Sequence, residues 1–153
     1  TYFRPNDQIA REEFIKLAVE AFALSDPDAA CGFSDVPRDS WYYPYVASAY
    51  QGGIVAGIND GQFGAGLSLT RQDAAVILNR LLPADPDAEA EARFTDDSQI
   101  AAYAKEAVYH MKRLGILNGR ADGAFVPEDS LTRAEAAKMI FMTMENQALE
   151  TGE

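Results

Sequence analysis

Three arginines stand at matching places along the chain, Arg11, Arg71 and Arg133, spaced 60 and 62 residues apart. Each has an apolar residue two positions before it (Ile9, Leu69, Leu131) and an acid two positions after it (Glu13, Asp73, Glu135). A Phe stands eight positions before each: Phe3, Phe63 and Phe125. Thr70 and Thr132 directly precede their Arg and sit three residues before the acid. That is the capping-box pattern that opens a helix. Ala10 holds the same place in the first copy and predicts a weaker cap. A guanidinium in the first turn of a helix presents a rigid fork of donors beside the positive end of the helix dipole, which suits a carboxylate. The carboxylate could be a ligand's. It could equally be the protein's own, with each Arg pairing to Asp35 or Asp96 of a neighbouring copy and locking the copies together.

The elements that must position these arginines repeat as well. Phe33-Ser34-Asp35 corresponds to Phe94-Thr95-Asp96, and Gly53-Ile54-Val55-Ala56-Gly57 to Gly115-Ile116-Leu117-Asn118-Gly119. Asn59-Asp60-Gly61-Gln62-Phe63 corresponds to Ala121-Asp122-Gly123-Ala124-Phe125. The unit is a Phe-x-Asp segment, an aromatic-bearing first helix, Gly-Ile-x-x-Gly, Asp-Gly-x-Phe and a second helix that opens with the Arg. Copies two and three are whole, at 33–82 and 94–149; residues 1–24 form the second half of copy one. Thr1 opens inside a patterned segment, so the chain is expected to be a fragment of something longer.

First helices are predicted from about Trp41 to Gln51 and from Ile100 to Leu114, with Val46, Ala49 and Tyr50, then Tyr103, Ala107, Val108 and Met111, on their inner faces. Gly53 and Gly115 should end them in positive φ. In the second helices Phe14, Leu17 and Phe22, then Leu78 and Leu82, then Met139, Ile140 and Met144, recur at helical spacing toward one core. Phe3, Phe63 and Phe125 are expected in that core. The Gly64-Ala65-Gly66 stretch predicts a looser loop than its proline-bearing counterparts at Pro5 and Pro127. The fold class is all-α, with short helices, long ordered loops and no real sheet.

Composition removes several classes of function. A net charge of −11 argues against nucleic acid, because phosphate binding needs a basic surface. No run of 18 apolar residues occurs, so membrane insertion is not expected. Cys31 is the one cysteine and excludes an internal disulfide. It lies in a linker-like stretch and reads as incidental. His110 falls mid-helix on a face expected to be exposed, without a cluster at metal-ligand spacing. Asp60 and Asp122 read as turn residues, since a calcium loop needs carboxylates at several fixed positions. No metal, cofactor or catalytic centre is expected.

The order Phe-x-Asp, aromatic, Gly-Ile-x-x-Gly, Asp-Gly-x-Phe and Leu-Thr-Arg-Ala-Glu, intact at 131–135, resembles the S-layer homology module. Copy two reads Thr-Arg-Gln-Asp at 70–73 and copy one Ala-Arg-Glu-Glu at 10–13. The resemblance implies tandem modules in a pseudo-threefold arrangement around a central helical bundle, with grooves between neighbours. It further implies non-covalent anchoring of a secreted bacterial surface protein to the cell wall. The grooves would bind secondary cell-wall polysaccharide, or another peptidoglycan-linked polymer, typically one bearing a pyruvate ketal. On that reading Arg11, Arg71 and Arg133 would meet the ketal carboxylate, and Trp41 and Tyr103 would stack on a sugar face or else serve the core. Gly53, Gly57, Gly115 and Gly119 would let backbone N–H groups approach the sugar, and Asp35 and Asp96 would complete the site. The acidic net charge opposes an anionic polymer at long range, so a site must be a local basic pocket acting within the screening length of about 8–10 Å. The competing reading is an assembly module of the same fold without a sugar site. Copy one, lacking its first helix, is expected to bare Phe14, Leu17 or Phe22 and so to favour self-association.

Overall fold

The computed structural model describes residues 2–88 and 91–152; Thr1 lies outside them. Five α-helices follow one another: α1 Arg11–Ala21, α2 Tyr43–Gln51, α3 Arg71–Asn79, α4 Lys105–Arg113 and α5 Arg133–Thr151. Two 3-10 turns, Asp97–Gln99 and Ala102–Ala104, precede α4. Among the described residues the only β pairings are isolated bridges. The all-α expectation holds.

The capping residues do what their types allow. Thr132 Oγ1 accepts the Glu135 N–H at 3.2 Å, and the Glu135 carboxylate accepts the Thr132 N–H at 2.9 Å. Thr70 Oγ1 accepts the Asp73 N–H at 3.2 Å. Ala10 has no side-chain acceptor, so only the reciprocal half survives, with Glu13 accepting the Ala10 N–H at 3.1 Å. At the other end of the first helices, Gly53 and Gly115 take φ of +74° and +73°. The following Ile54 and Ile116 N–H groups then reach back to Ala49 and Met111, the closing bond of a left-handed C-cap. Both first helices start later than expected. Pro44 sits at the start of α2, and the residues before α4 tighten into 3-10 turns instead of one continuous helix.

The second helices open from a closed ring of backbone hydrogen bonds. Ile9 N–H donates to Leu131 O at 3.0 Å, Leu131 N–H to Leu69 O at 2.8 Å, and Leu69 N–H to Ile9 O at 3.0 Å. All three side chains are fully buried. A second ring lies outside it: Arg11, Arg71 and Arg133 donate their N–H groups to Leu67, Asp129 and Asp7 O, each at 2.9 Å. Around this ring α2 packs on α1, α4 packs on α3, and α5 packs against both α1 and α3.

Asp35 and Asp96 hold the loops that enter the ring. Asp35 accepts the N–H groups of Phe63, Gly64 and Ala65 at 2.8, 2.7 and 2.9 Å. Asp96 accepts those of Phe125 and Val126, both at 2.8 Å. Pro127 has no N–H to give, so Ala65 makes its loop the more tightly held of the two, against the expectation of looseness. Burial alone would raise the Asp35 pKa; the three donors outweigh it and hold the carboxyl below its ordinary range.

Gly57 and Gly119 are required by close packing. A Cβ at Gly57 would overlap the carbonyl oxygens of Asn59 and Gln62 and lie 2.8 Å from the Phe33 ring. At Gly119 it would lie 3.1 Å from both Ala124 O and the Phe94 ring. A Cβ at Gly53 or Gly115 meets open space, so only positive φ selects glycine there.

Several expectations are corrected. Phe63 and Phe125 are fully buried, but Phe3 is exposed. The rings of Phe33 and Phe94 pack on the first two, and among the described residues no ring packs on Phe3. His110 is buried, with Nδ1 2.6 Å from Asn79 Oδ1 between α4 and α3. Tyr50 and Tyr103 leave the inner faces of their segments and stand exposed. Phe14 is fully buried, with Leu17 and Phe22 partly so, because α2 covers α1; of the three second helices it is α5 that leaves large apolar side chains exposed, Met144 among them against expectation.

Two stability measurements follow. Asp35→Ala should cost about 2–4 kcal/mol in chemical denaturation, the scale of lost charge-assisted hydrogen bonds. The lowered Asp35 pKa contributes stability above the unfolded-state value, about 3.9, which is lost as the pH falls through the folded value; Asp35→Asn should therefore flatten the acid limb below pH about 4 and leave the slope at neutral pH unchanged. An unchanged limb would show that the loop does not depend on this charge. In the second measurement, Gly57→Ala should cost about 2–3 kcal/mol by overpacking, more than the roughly 1 kcal/mol of strain from Gly53→Ala. The reverse order would refute the close-packing account.

Candidate functional site

The Arg that opens each second helix reaches across a joint between copies. Its Nε donates to the carbonyl of the next copy's Phe: Arg11 to Phe63 at 3.1 Å, Arg71 to Phe125 at 2.9 Å, Arg133 to Phe3 at 3.2 Å. Each guanidinium also lies over that same Phe ring, 5.1, 5.1 and 5.7 Å from its centre, a cation–π contact. The third partner is an acid. Arg11 pairs with Asp73 at 3.2 Å, Arg71 with Glu135 at 3.6 Å and Arg133 with Glu13 at 2.6 Å. The acid is the one two residues after the neighbour's own Arg, so the pairs close a cycle. Asp35 and Asp96 are spent on backbone N–H groups and make no ion pair with these arginines.

The joints differ in burial. The Arg11 and Arg71 side chains are each 7% exposed, and that of Arg133 is 25% exposed. Arg11 and Arg71 also donate Nη2 to Ala56 O and Asn118 O, at 3.5 and 3.2 Å. These carbonyls belong to the Gly-x-x-x-Gly loops, which copy one does not have. Burial lowers the pKa of Arg11 and Arg71, and for Arg71 the nearby Arg120 adds to it; both remain cations at neutral pH. Burial would raise the Glu135 pKa, but the Thr132 cap and Arg71 outweigh it and keep the carboxyl ionised.

A groove runs over each joint. The groove at Arg11, about 430 Å³, is walled by the Val55–Ile58 loop, Asp73 of α3, Arg80 just past its end, and Tyr103 from the third copy. Tyr103 is 65% exposed, and its hydroxyl donates to Asp73 Oδ1 at 2.7 Å. Burial of the hydroxyl, then this bond, push its pKa up, so it stays a donor. The groove at Arg133, about 450 Å³, is lined by Glu13, Lys16 and Glu20 of α1 and by Trp41. Trp41 is 54% exposed, with Lys16 Nζ 5.9 Å from its ring centre. The groove at Arg71 is smaller, about 170 Å³, and joins Gly119 and Arg120 to Glu135 and Lys138. It gathers three cations around one acid, and no exposed aromatic lines it. Gly57 lies in the wall of the first groove and Gly119 in that of the third, while Gly53 and Gly115 line none of the three.

Four basic residues in these grooves were not singled out by sequence: Lys16, Arg80, Arg120 and Lys138. A signal was present for two of them, since Lys16 and Lys138 each fall five positions after their Arg, where copy two has Val76. Among the described residues, Lys138 is exposed and no ion pair forms at it. Cys31 is partly buried, which raises its thiol pKa. Among the described residues no group of three His, Cys, Asp or Glu could hold a metal ion, and no helix is long and apolar enough to cross a membrane.

Comparison with known proteins finds two matched segments. The S-layer homology domain model matches residues 32–75 and 93–137. The chain is 31% identical, over 95% of its length, to an amylopullulanase of Thermoanaerobacterium thermosulfurigenes, of which it covers 8%. It is 29% identical over 94% of its length to the surface-layer 125 kDa protein of Lysinibacillus sphaericus, covering 12% of that protein. With the S-layer protein EA1 of Bacillus anthracis it shares 30% identity over 76% of its length, covering 14% of the relative. It thus spans a small part of each. The repeated Arg joints, the loops held by Phe-x-Asp and the matched segments agree, and the chain belongs to the S-layer homology domain family.

Proposed function

We propose that this chain anchors a bacterial surface protein non-covalently to the cell wall, outside the cell, by holding secondary cell-wall polysaccharide in its inter-module grooves. The observation that carries the reading is the recurrence of a groove over the crossing Arg at three joints, each with a second basic side chain, two with a loop of backbone groups and two with an exposed aromatic. Trp41 and Tyr103 stand free enough to stack on a sugar face. A pyruvylated polymer fits best, because its carboxylate would meet Lys138 and Arg120 in one groove and Lys16 in another. These short-range contacts offset the acidic net charge of the chain. Arg11 and Arg71, held by carbonyls and an acid, shape the grooves from their walls, and Arg133 is the most open of the three.

A second reading, a module for joining subunits only, draws on the same burial: Arg11 and Arg71 already spend donors on carbonyls and face an acid at the joints. Any catalytic activity would belong to other domains.

Co-sedimentation with purified sacculi, before and after the non-peptidoglycan polymer is stripped, separates the two. Binding should vanish on stripping, and Trp41→Ala and Lys138→Ala should each weaken it about fivefold with no change in melting temperature, both residues being exposed. Equal binding to stripped sacculi would point to peptidoglycan. No binding to either preparation would leave the assembly reading.

A further inference from the structure

The two exposed aromatics at the groove rims are not equally open. Lys16 Nζ lies over the Trp41 ring, 5.9 Å from its centre, and over the Tyr45 ring at 5.5 Å. One face of Trp41 is thus capped by an ammonium, and the Tyr42 ring also meets Trp41 edge to face at 5.4 Å. Among the described residues no cation lies over Tyr103, and its hydroxyl is held by Asp73. The difference is written five residues after the crossing Arg, where the chain has Lys16, Val76 and Lys138. Tyr103 shares its groove with Val76, and the groove of Lys138 has no exposed aromatic. Of the three grooves, the one at Arg133 sets a lysine on an exposed ring.

Lys16 is held there by weak contacts. Arg133 is bonded to Phe3 O and Glu13, while Glu13 and Glu12 also accept the N–H groups of Ala10 and Gly66. Lys16 pairs with Glu20 at 3.9 Å, both side chains being well exposed, and Glu20 also accepts the Tyr45 hydroxyl at 3.2 Å. An exposed ion pair and an exposed cation–π contact are the kind that a lysine leaves readily.

We infer that Lys16 is a specificity-determining residue of the Arg133 groove: it caps the stacking face of Trp41 until a carboxylate on the incoming sugar draws it off. A neutral ring that stacks there must break the Lys16–Trp41 contact and gains nothing in its place. An acidic ring exchanges that contact for a charge-assisted hydrogen bond to the same ammonium. Stacking and charge are therefore read together. The Arg11 groove, where no cation lies over Tyr103, makes no such demand and takes neutral residues of the same polymer. The inference rests on the proposal that the grooves hold polysaccharide.

Trp41 is the sole tryptophan of the chain, so fluorescence excited beyond tyrosine absorption reports this ring by itself. In the free protein, Lys16→Ala should steepen acrylamide quenching of Trp41, because the capped face opens. Equal quenching would overturn the proposal, since no cap would then exist in solution. Binding to the intact chain is then followed at Trp41 with two probes: polymer released from purified sacculi, and the same polymer after its carboxylates are reduced to alcohols. The unsubstituted chain should bind the native form about tenfold more tightly than the reduced form. Lys16→Ala should weaken binding of the native form about threefold and strengthen that of the reduced form about threefold, with melting temperature unchanged. Equal binding of the two forms by the unsubstituted chain, or parallel effects of Lys16→Ala on both, would overturn the proposal while leaving polymer binding in place. If neither form binds and co-sedimentation with sacculi also fails, the anchoring reading falls and takes this proposal with it.

Discussion

A guanidinium that is nearly buried must have every donor satisfied and its charge matched, or it destabilises the fold that contains it. At Arg11 and Arg71 these demands are met almost entirely from the neighbouring module: a Phe carbonyl, the ring of the same Phe, a loop carbonyl and an acid. The Arg therefore cannot be housed by its own module alone. The modules must assemble for the charge to be tolerable, and once assembled they are fixed in register. The acid that meets the Arg also belongs to a helix cap, so helix initiation and inter-module pairing share one residue. At α5 that double use is complete, since Glu135 caps Thr132 and pairs with Arg71.

The ring of Ile9, Leu69 and Leu131 puts this joint at the fold's centre, and the grooves follow as a consequence. Wherever an Arg crosses to the next module, the loop it reaches must stand open to receive it, and the space above the joint stays partly unfilled. What fills the rim then varies: Tyr103 and Arg80 at one joint, Trp41 and Lys16 at another, Arg120 and Lys138 at the third. One scaffold thus presents three different surfaces, through substitutions that leave the joint itself untouched.

Much of this was legible in the sequence because the devices are local. The Thr caps and the glycines that end α2 and α4 depend on neighbours a few residues away, and they fell where the residue types said. The partners of the arginines were less legible. Asp35 and Asp96 were as plausible as Asp73, Glu135 and Glu13, since spacing along the chain does not reveal which carboxylate faces which guanidinium across a joint. His110 misled for a related reason: its buried position is set by Asn79 on a helix 31 residues away. Phe3 shares with Phe63 and Phe125 its spacing to the following Arg, but burial needs an opposing ring, and that is a property of the assembly. The apolar side chains that α5 leaves exposed likewise appear only when the three second helices are compared in place.

The closure of the backbone ring also sets how the domain would carry load. A linear array of repeats can be peeled apart unit by unit, each interface failing in turn. Here Ile9 is bonded to Leu131 and Glu13 to Arg133, so the first and last modules hold each other. Tension drawn between them is borne by those pairs together, and separating the outer modules means opening the core around Ile9, Leu69 and Leu131 as well. The domain would resist a steady pull as a single mechanical unit and yield in one step.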